Sequence, residues 1–147
     1  MSDQATPDRL HAILRREGRS LFQYLREAPP WVGPNDRNSL ARVRELAGAE
    51  SEIVESLSKL LQKLHGDYGH LGAFPDFTHY NDAALHYLLP MVIREQKQLL
   101  NELESDRKQV DEAHTSALLG QLLELKRRHI PQLEDLQVPA HSFTAVC

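Results

Sequence analysis

Glu17, Glu50, Lys126 and His129 are the residues of this chain whose types and placing could do chemistry. Each interrupts a run of apolar residues spaced three or four apart, and such a run marks the inward face of a helix. Carboxylates, an ammonium and an imidazole on apolar helix faces each need a polar partner there, and they can supply one to one another if they meet at one height. Taken singly, each has a plainer reading. A Glu on an apolar stripe can lie a few tens of degrees off the core, and a lone His can be a hydrogen-bonded core residue. Glu17, Glu50 and His129 all fall near the midpoints of their helices, with Lys126 one turn before His129, and that coincidence favours one shared polar layer.

The elements that must position them follow from caps, breakers and period. Thr6-Pro7-Asp8 reads as a helix start, and Pro29-Pro30 ends helix one, predicted over about 7–28 with Leu10, Ile13, Leu14, Glu17, Leu21, Tyr24, Leu25 and Ala28 inward. After a short proline-bounded connection, in which Trp31 is placed at the end of the core, helix two spans about 36–65 with Gly66 as its stop. Its stripe is Leu40, Val43, Leu46, Glu50, Ile53, Leu57, Leu60 and Leu64. The run GDYGHLGAFPDFT has no helical period and makes a long connection, able to carry the chain from one end of a bundle to the other. Helix three follows over about 80–108, capped by Thr78 or Asn81, with Val92 at its centre and Pro90 as a kink. Helix four, about 112–137, is capped by Asp111 and carries Leu118, Leu122, Leu125 and Leu136 around Lys126 and His129. The tail 138–147 has no period. These readings predict an all-α chain: one domain over 1–147, a four-helix bundle with a long crossover between helices two and three.

Composition excludes several classes. The net charge of −4 over 147 residues gives no electrostatic reason for nucleic acid, and the basic run at 126–128 is too short to change that. No apolar run is long enough for a membrane span, and the first residues lack the apolar segment of a signal peptide, so a cytoplasmic protein without a membrane partner is expected. One cysteine, Cys147, excludes an internal disulfide framework and a multi-cysteine zinc site. No serine sits in a tight glycine turn of the nucleophile-elbow kind, and two acids facing a lysine do not make a hydrolase pair.

The segment EGRSLFQYL, residues 17–25, and the segment KRRHIPQLEDL, residues 126–136, resemble the first- and fourth-helix patterns of the ferritin-like superfamily, its bacterioferritin and rubrerythrin branch in particular. The resemblance covers roughly residues 8–137. It implies a bundle whose carboxylate-bridged di-iron centre draws one Glu from each of helices one and three and a Glu-x-x-His from each of helices two and four. Glu17, Glu50 and His129 then match ligands. Ile53 stands where the second-helix His belongs, Lys126 replaces the fourth-helix Glu, and Val92 matches the third-helix Glu unless a three-residue slip puts Glu95 there. A complete site places four carboxylates together, tolerable only around cations. Here two carboxylates face an ammonium and an imidazole, so the resemblance implies a vestigial site with Lys126 as substitute cation.

Two functions follow. The first is a non-catalytic bundle acting as a structural or interaction module, with a protein partner and no cofactor, and paired into a homodimer as the family often is. The second is a metal-binding or iron-dependent oxidoreductase that uses a reduced site of Glu17, Glu50 and His129, with iron or zinc. A separate cluster, His65, His70, His79 and His86, carries imidazoles suited to a divalent metal at a spacing that matches no ligand motif; its plainer reading is a solvated histidine-rich loop.

Overall fold

A computed structural model describes residues 5–27, 36–66 and 84–137. These residues form five helices: α1 (Ala5–Gly18), α2 (Leu21–Glu27), α3 (Arg37–His65), α4 (Leu85–Arg107) and α5 (Ala113–Asp135). No strand occurs among the described residues, and no helix among them is long and apolar enough to cross a membrane. Trp31, the long connection, the proposed caps Thr78 and Asn81, and the tail with Cys147 lie outside the described residues.

The single first helix expected over 7–28 is instead two, broken at Arg19–Ser20. The cause is partly local. Gly18 is a poor helix former, and the Ser20 hydroxyl accepts from the Gln23 backbone N–H, as an N-cap does. The rest comes from α4: the Glu95 carboxylate accepts the backbone N–H groups of Leu21 and Phe22, at 3.1 and 3.4 Å. Three of the four orphan donors at the start of α2 are therefore satisfied by two side chains. Helix α5 is capped by Glu112, not Asp111. Its carboxyl accepts from Thr115 and His114 backbone N–H groups, which hold it down to about 2.

Two apolar clusters make the core. One gathers Leu21, Phe22 and Leu25 of α2, Leu40, Val43, Leu46 and Ala47 of α3, the first half of α4 from Leu85 to Ile93, and Leu133 of α5. The other gathers Leu10, Ile13 and Leu14 of α1, Val54, Leu57 and Leu61 of α3, Leu103 of α4, and Leu119, Leu122 and Leu123 of α5. Helices α3 and α4 present their N-terminal halves to the first cluster and their C-terminal parts to the second, so they run the same way. The chain through α1 and α2, and α5, run against them.

The stripes of α3 and α5 differ from expectation. After Glu50 the buried positions of α3 are Val54, Leu57 and Leu61; Ile53 and Leu60 are half-buried and Leu64 is 43% exposed. On α5, Leu119, Leu123 and Leu133 are buried, while Leu118, Leu125 and Leu136 are only partly so. The expected stripes followed alternating steps of three and four, a period of 3.5, whereas a straight helix turns every 3.6 residues and drifts about 20° per heptad. Over a helix of 29 residues that drift carries the core face one position along.

Candidate functional site

Between the two apolar clusters four of the five helices contribute a polar residue: Glu17 from α1, Glu50 from α3, Gln96 from α4, Lys126 and His129 from α5. All are buried, none more than 5% exposed. The apolar core on either side fixes their height, because along the chain each lies between residues of the two clusters, Glu17 between Leu14 of α1 and Leu21 of α2.

Lys126 is the centre of the group. Its Nζ donates to Glu17 Oε1 at 2.7 Å, Glu50 Oε1 at 2.8 Å and Gln96 Oε1 at 2.6 Å. An ammonium has three hydrogens, and all three are used, each on a different helix. Glu50 has its other oxygen, Oε2, 2.6 Å from His129 Nδ1. A carboxylate can only accept, so Nδ1 carries the hydrogen. From Gln96 the chain of contacts runs on to Glu95, whose Oε1 lies 3.5 Å from Gln96 Nε2.

The two acids are not equivalent. Burial pushes the Glu17 carboxyl above its usual value despite Lys126, with the nearby Glu50 charge adding to the rise. Its Oε2 is buried without a hydrogen-bond partner among the described residues, so the anion is stripped of water on one side. At Glu50 burial acts the same way but is overcome by Lys126 and His129, and the carboxyl is held below its usual range. Lys126 is pushed up: burial disfavours its charge, and the two carboxylates more than compensate. Glu95 is raised by burial, opposed by the Leu21 and Phe22 N–H groups.

These shifts fix the signs of a pH dependence. A carboxyl with a raised folded pKa binds more protons folded than unfolded, so Glu17 costs stability as pH rises from 4.5 through its folded value. Glu50 contributes stability that is present above 4.5 and lost as pH falls through its folded value, and Lys126 contributes stability lost only as pH rises beyond 10.5. Glu17→Gln keeps an acceptor for Lys126 and removes the anion. It is expected to leave stability at pH 7 unchanged or higher and to flatten the decline above 4.5. Glu50→Gln, which weakens two charge-assisted bonds, is expected to cost about 2–3 kcal/mol. Urea unfolding of the two variants across pH compares them directly, and equal losses would show that the acids share one role.

The four residues singled out in the sequence are thus brought together, and a fifth was missed. Val92 is buried in the apolar cluster one turn away, and Glu95 has turned to cap α2, so neither stands in the layer; Gln96 does. Its signal was an amide on the inward stripe of α4, which a neutral residue announces less plainly than a charge. Ile53 packs against the second cluster instead of the layer. Of the histidine cluster, His65 and His86 are exposed on α3 and α4, while His70 and His79 lie outside the described residues. Comparison with family models, with curated proteins and with solved structures finds no match.

The arrangement does not fit a metal ion. Lys126 Nζ occupies the point on which the Glu17, Glu50 and Gln96 oxygens converge, and a cation there would have to displace another cation. Glu50 already spends both oxygens, and no group of three or more His, Cys, Asp or Glu among the described residues is placed to hold an ion.

Proposed function

We propose that the chain is a ferritin-like four-helix bundle, α1 and α2 together making its first column, that has exchanged a di-iron centre for an ammonium and works as a non-catalytic structural or interaction module. The parallel course of α3 and α4 supports it, because a chain that leaves one end of a bundle and re-enters at the other needs a long crossover. The observation that carries the reading is the triple hydrogen bond of Lys126. In the family's pattern, one Glu each from helices one and three falls on Glu17 and Gln96, and the two Glu-x-x-His pairs fall on Glu50 with Ile53 and on Lys126 with His129. Three positions keep a ligand. The other three change in a way that replaces four carboxylates and their metal charge by two carboxylates and one ammonium.

Such a layer offers stability and alignment, and no redox chemistry. Its residues hold four columns at one height, since the bonds of Lys126 require α1, α3, α4 and α5 to be in register. The resemblance carries a homodimer through the first two columns, and the single cysteine agrees with a reducing, cytoplasmic setting. The reading is tested by adding ferrous ion anaerobically and then oxygen. No acceleration of iron oxidation over buffer and no change of melting temperature are expected. Stoichiometric iron uptake into the layer would overturn it and restore the reduced-site oxidoreductase.

A further inference from the structure

An interaction module needs a surface, and one stands outside the layer. A trough of about 630 Å³ runs along the outer side of α5, with the half-buried Ile53 of α3 and Leu125 on its floor, and it is lined further by the exposed Ala117, Arg107, Arg127 and Arg128. Arg107 and Arg127 also line a second hollow of about 340 Å³ on the α4 side. Ile53 and Leu125 are apolar residues that the helical drift leaves half outside the core.

Arg107 is held in place. Its Nε donates to the Ser116 carbonyl at 3.1 Å, and its guanidinium lies against Gly120, where a Cβ would stand 2.8 Å from one nitrogen and 2.9 Å from the central carbon. A glycine in the middle of a helix costs about 1 kcal/mol relative to alanine, and this close approach gives it a physical role. Neither Arg107 nor Arg128 has a carboxylate partner among the described residues, whereas Arg127 is paired with Glu104 and Glu124. Around the two hollows, Arg107, Lys108, Arg127 and Arg128 face only Glu104 and Glu124, on a chain whose net charge is −4.

We propose that this trough docks an acidic amphipathic helix of a partner protein, its apolar stripe on Ile53, Ala117 and Leu125 and its carboxylates on Arg107 and Arg128. The proposal rests on the interaction-module reading and names its partner's chemistry. A small ligand is a poorer fit, since small-molecule sites enclose most of their ligand and this trough is open along its length. A phosphate would leave the apolar floor unused, and a long polyanion meets a chain of net negative charge. A helix laid in a groove between helices uses both the floor and the basic edge.

The test is selection from a display library of helical peptides on the full chain. Enrichment of helices with an Asp- or Glu-bordered Leu or Ile stripe is expected. Their binding should weaken by about tenfold in the Arg107→Glu/Arg128→Glu double variant, and should weaken with salt. Gly120→Ala displaces the guanidinium without removing charge and should weaken binding severalfold while circular dichroism stays unchanged. The perturbed amide resonances should centre on Gly120, Gln121 and Leu125. No enrichment, enrichment of basic or neutral helices, equal binding by the double variant, or displacement of the peptide by millimolar inorganic phosphate would each overturn the docking site. Iron uptake by the layer would overturn the metal-free reading and leave the peptide result standing, so the two failures are distinct.

Discussion

Lys126→Met is expected to lower stability by about 3–5 kcal/mol at pH 7, because it leaves two carboxylates buried without the cation they surround. Its pH dependence should be as telling as its size. Without the ammonium, burial and mutual repulsion both raise the carboxyls, so more protons are bound folded than unfolded and the variant should gain stability as pH falls from 7 toward 5. Adding Glu17→Gln and Glu50→Gln to Lys126→Met removes both anions and should recover most of the loss at pH 7. Replacing all three with apolar residues is less clean, since Gln96 Oε1 and His129 Nδ1 would each lose a partner. Urea unfolding at pH 5 and 7 measures the set. A Lys126→Met variant as stable as the parent at pH 7 would mean that the ammonium does not hold the layer.

That layer was legible because charge on an inward stripe is conspicuous. Glu17, Glu50, Lys126 and His129 stand out against leucines at helical spacing, and the midpoint of each helix could be placed within a turn. Gln96 also falls on the inward stripe of its helix, with Leu85, Leu88, Leu89, Val92, Leu99 and Leu103, but its place in the layer is not legible, since a buried amide needs no counter-charge and leaves no sign of its partner. The break between α1 and α2 was hidden for a different reason. Ser20 is a local signal, but Glu95, which holds two of the N–H groups, lies 74 residues from Leu21 in the chain, and no local pattern reports such a contact. A helix end capped from another helix is a tertiary event written at two distant places.

The slipped stripes have a further consequence. A heptad-like pattern assigns Ile53, Leu118 and Leu125 to the core, and the actual turn of the helix moves Val54, Leu119 and Leu123 there instead. The displaced Ile53 and Leu125 are what give the trough along α5 an apolar floor. The same small difference between 3.5 and 3.6 residues per turn therefore shifts the core and leaves apolar surface outside it.

The reverse change to the layer has the largest expected effect on binding. Ile53→His, Gln96→Glu and Lys126→Glu together would give each column the residue that the ferritin-like pattern asks for, with Glu17, Glu50 and His129 already present. Without metal this triple variant should be much less stable than the parent at neutral pH, because four carboxylates meet with no cation and must bind protons to fold. It should regain stability as pH falls, the sign given by raised carboxyl pKa values. Ferrous, cobaltous or zinc ion at about a hundred times its dissociation constant contributes about 2.7 kcal/mol, which raises the melting temperature by roughly 5–11 °C in a chain of this size. The parent should not respond to the same ions. Ile53 is the exacting position, since it is half-buried and lines the trough, so an imidazole there has to turn inward to reach the layer. Omitting Ile53→His tests that step, and the remaining double variant should bind more weakly than the triple. If the triple variant gains nothing from any of these ions while folding at low pH, the columns are not spaced as a di-iron bundle spaces them. The lysine would then be an original part of the core and not the successor of a metal.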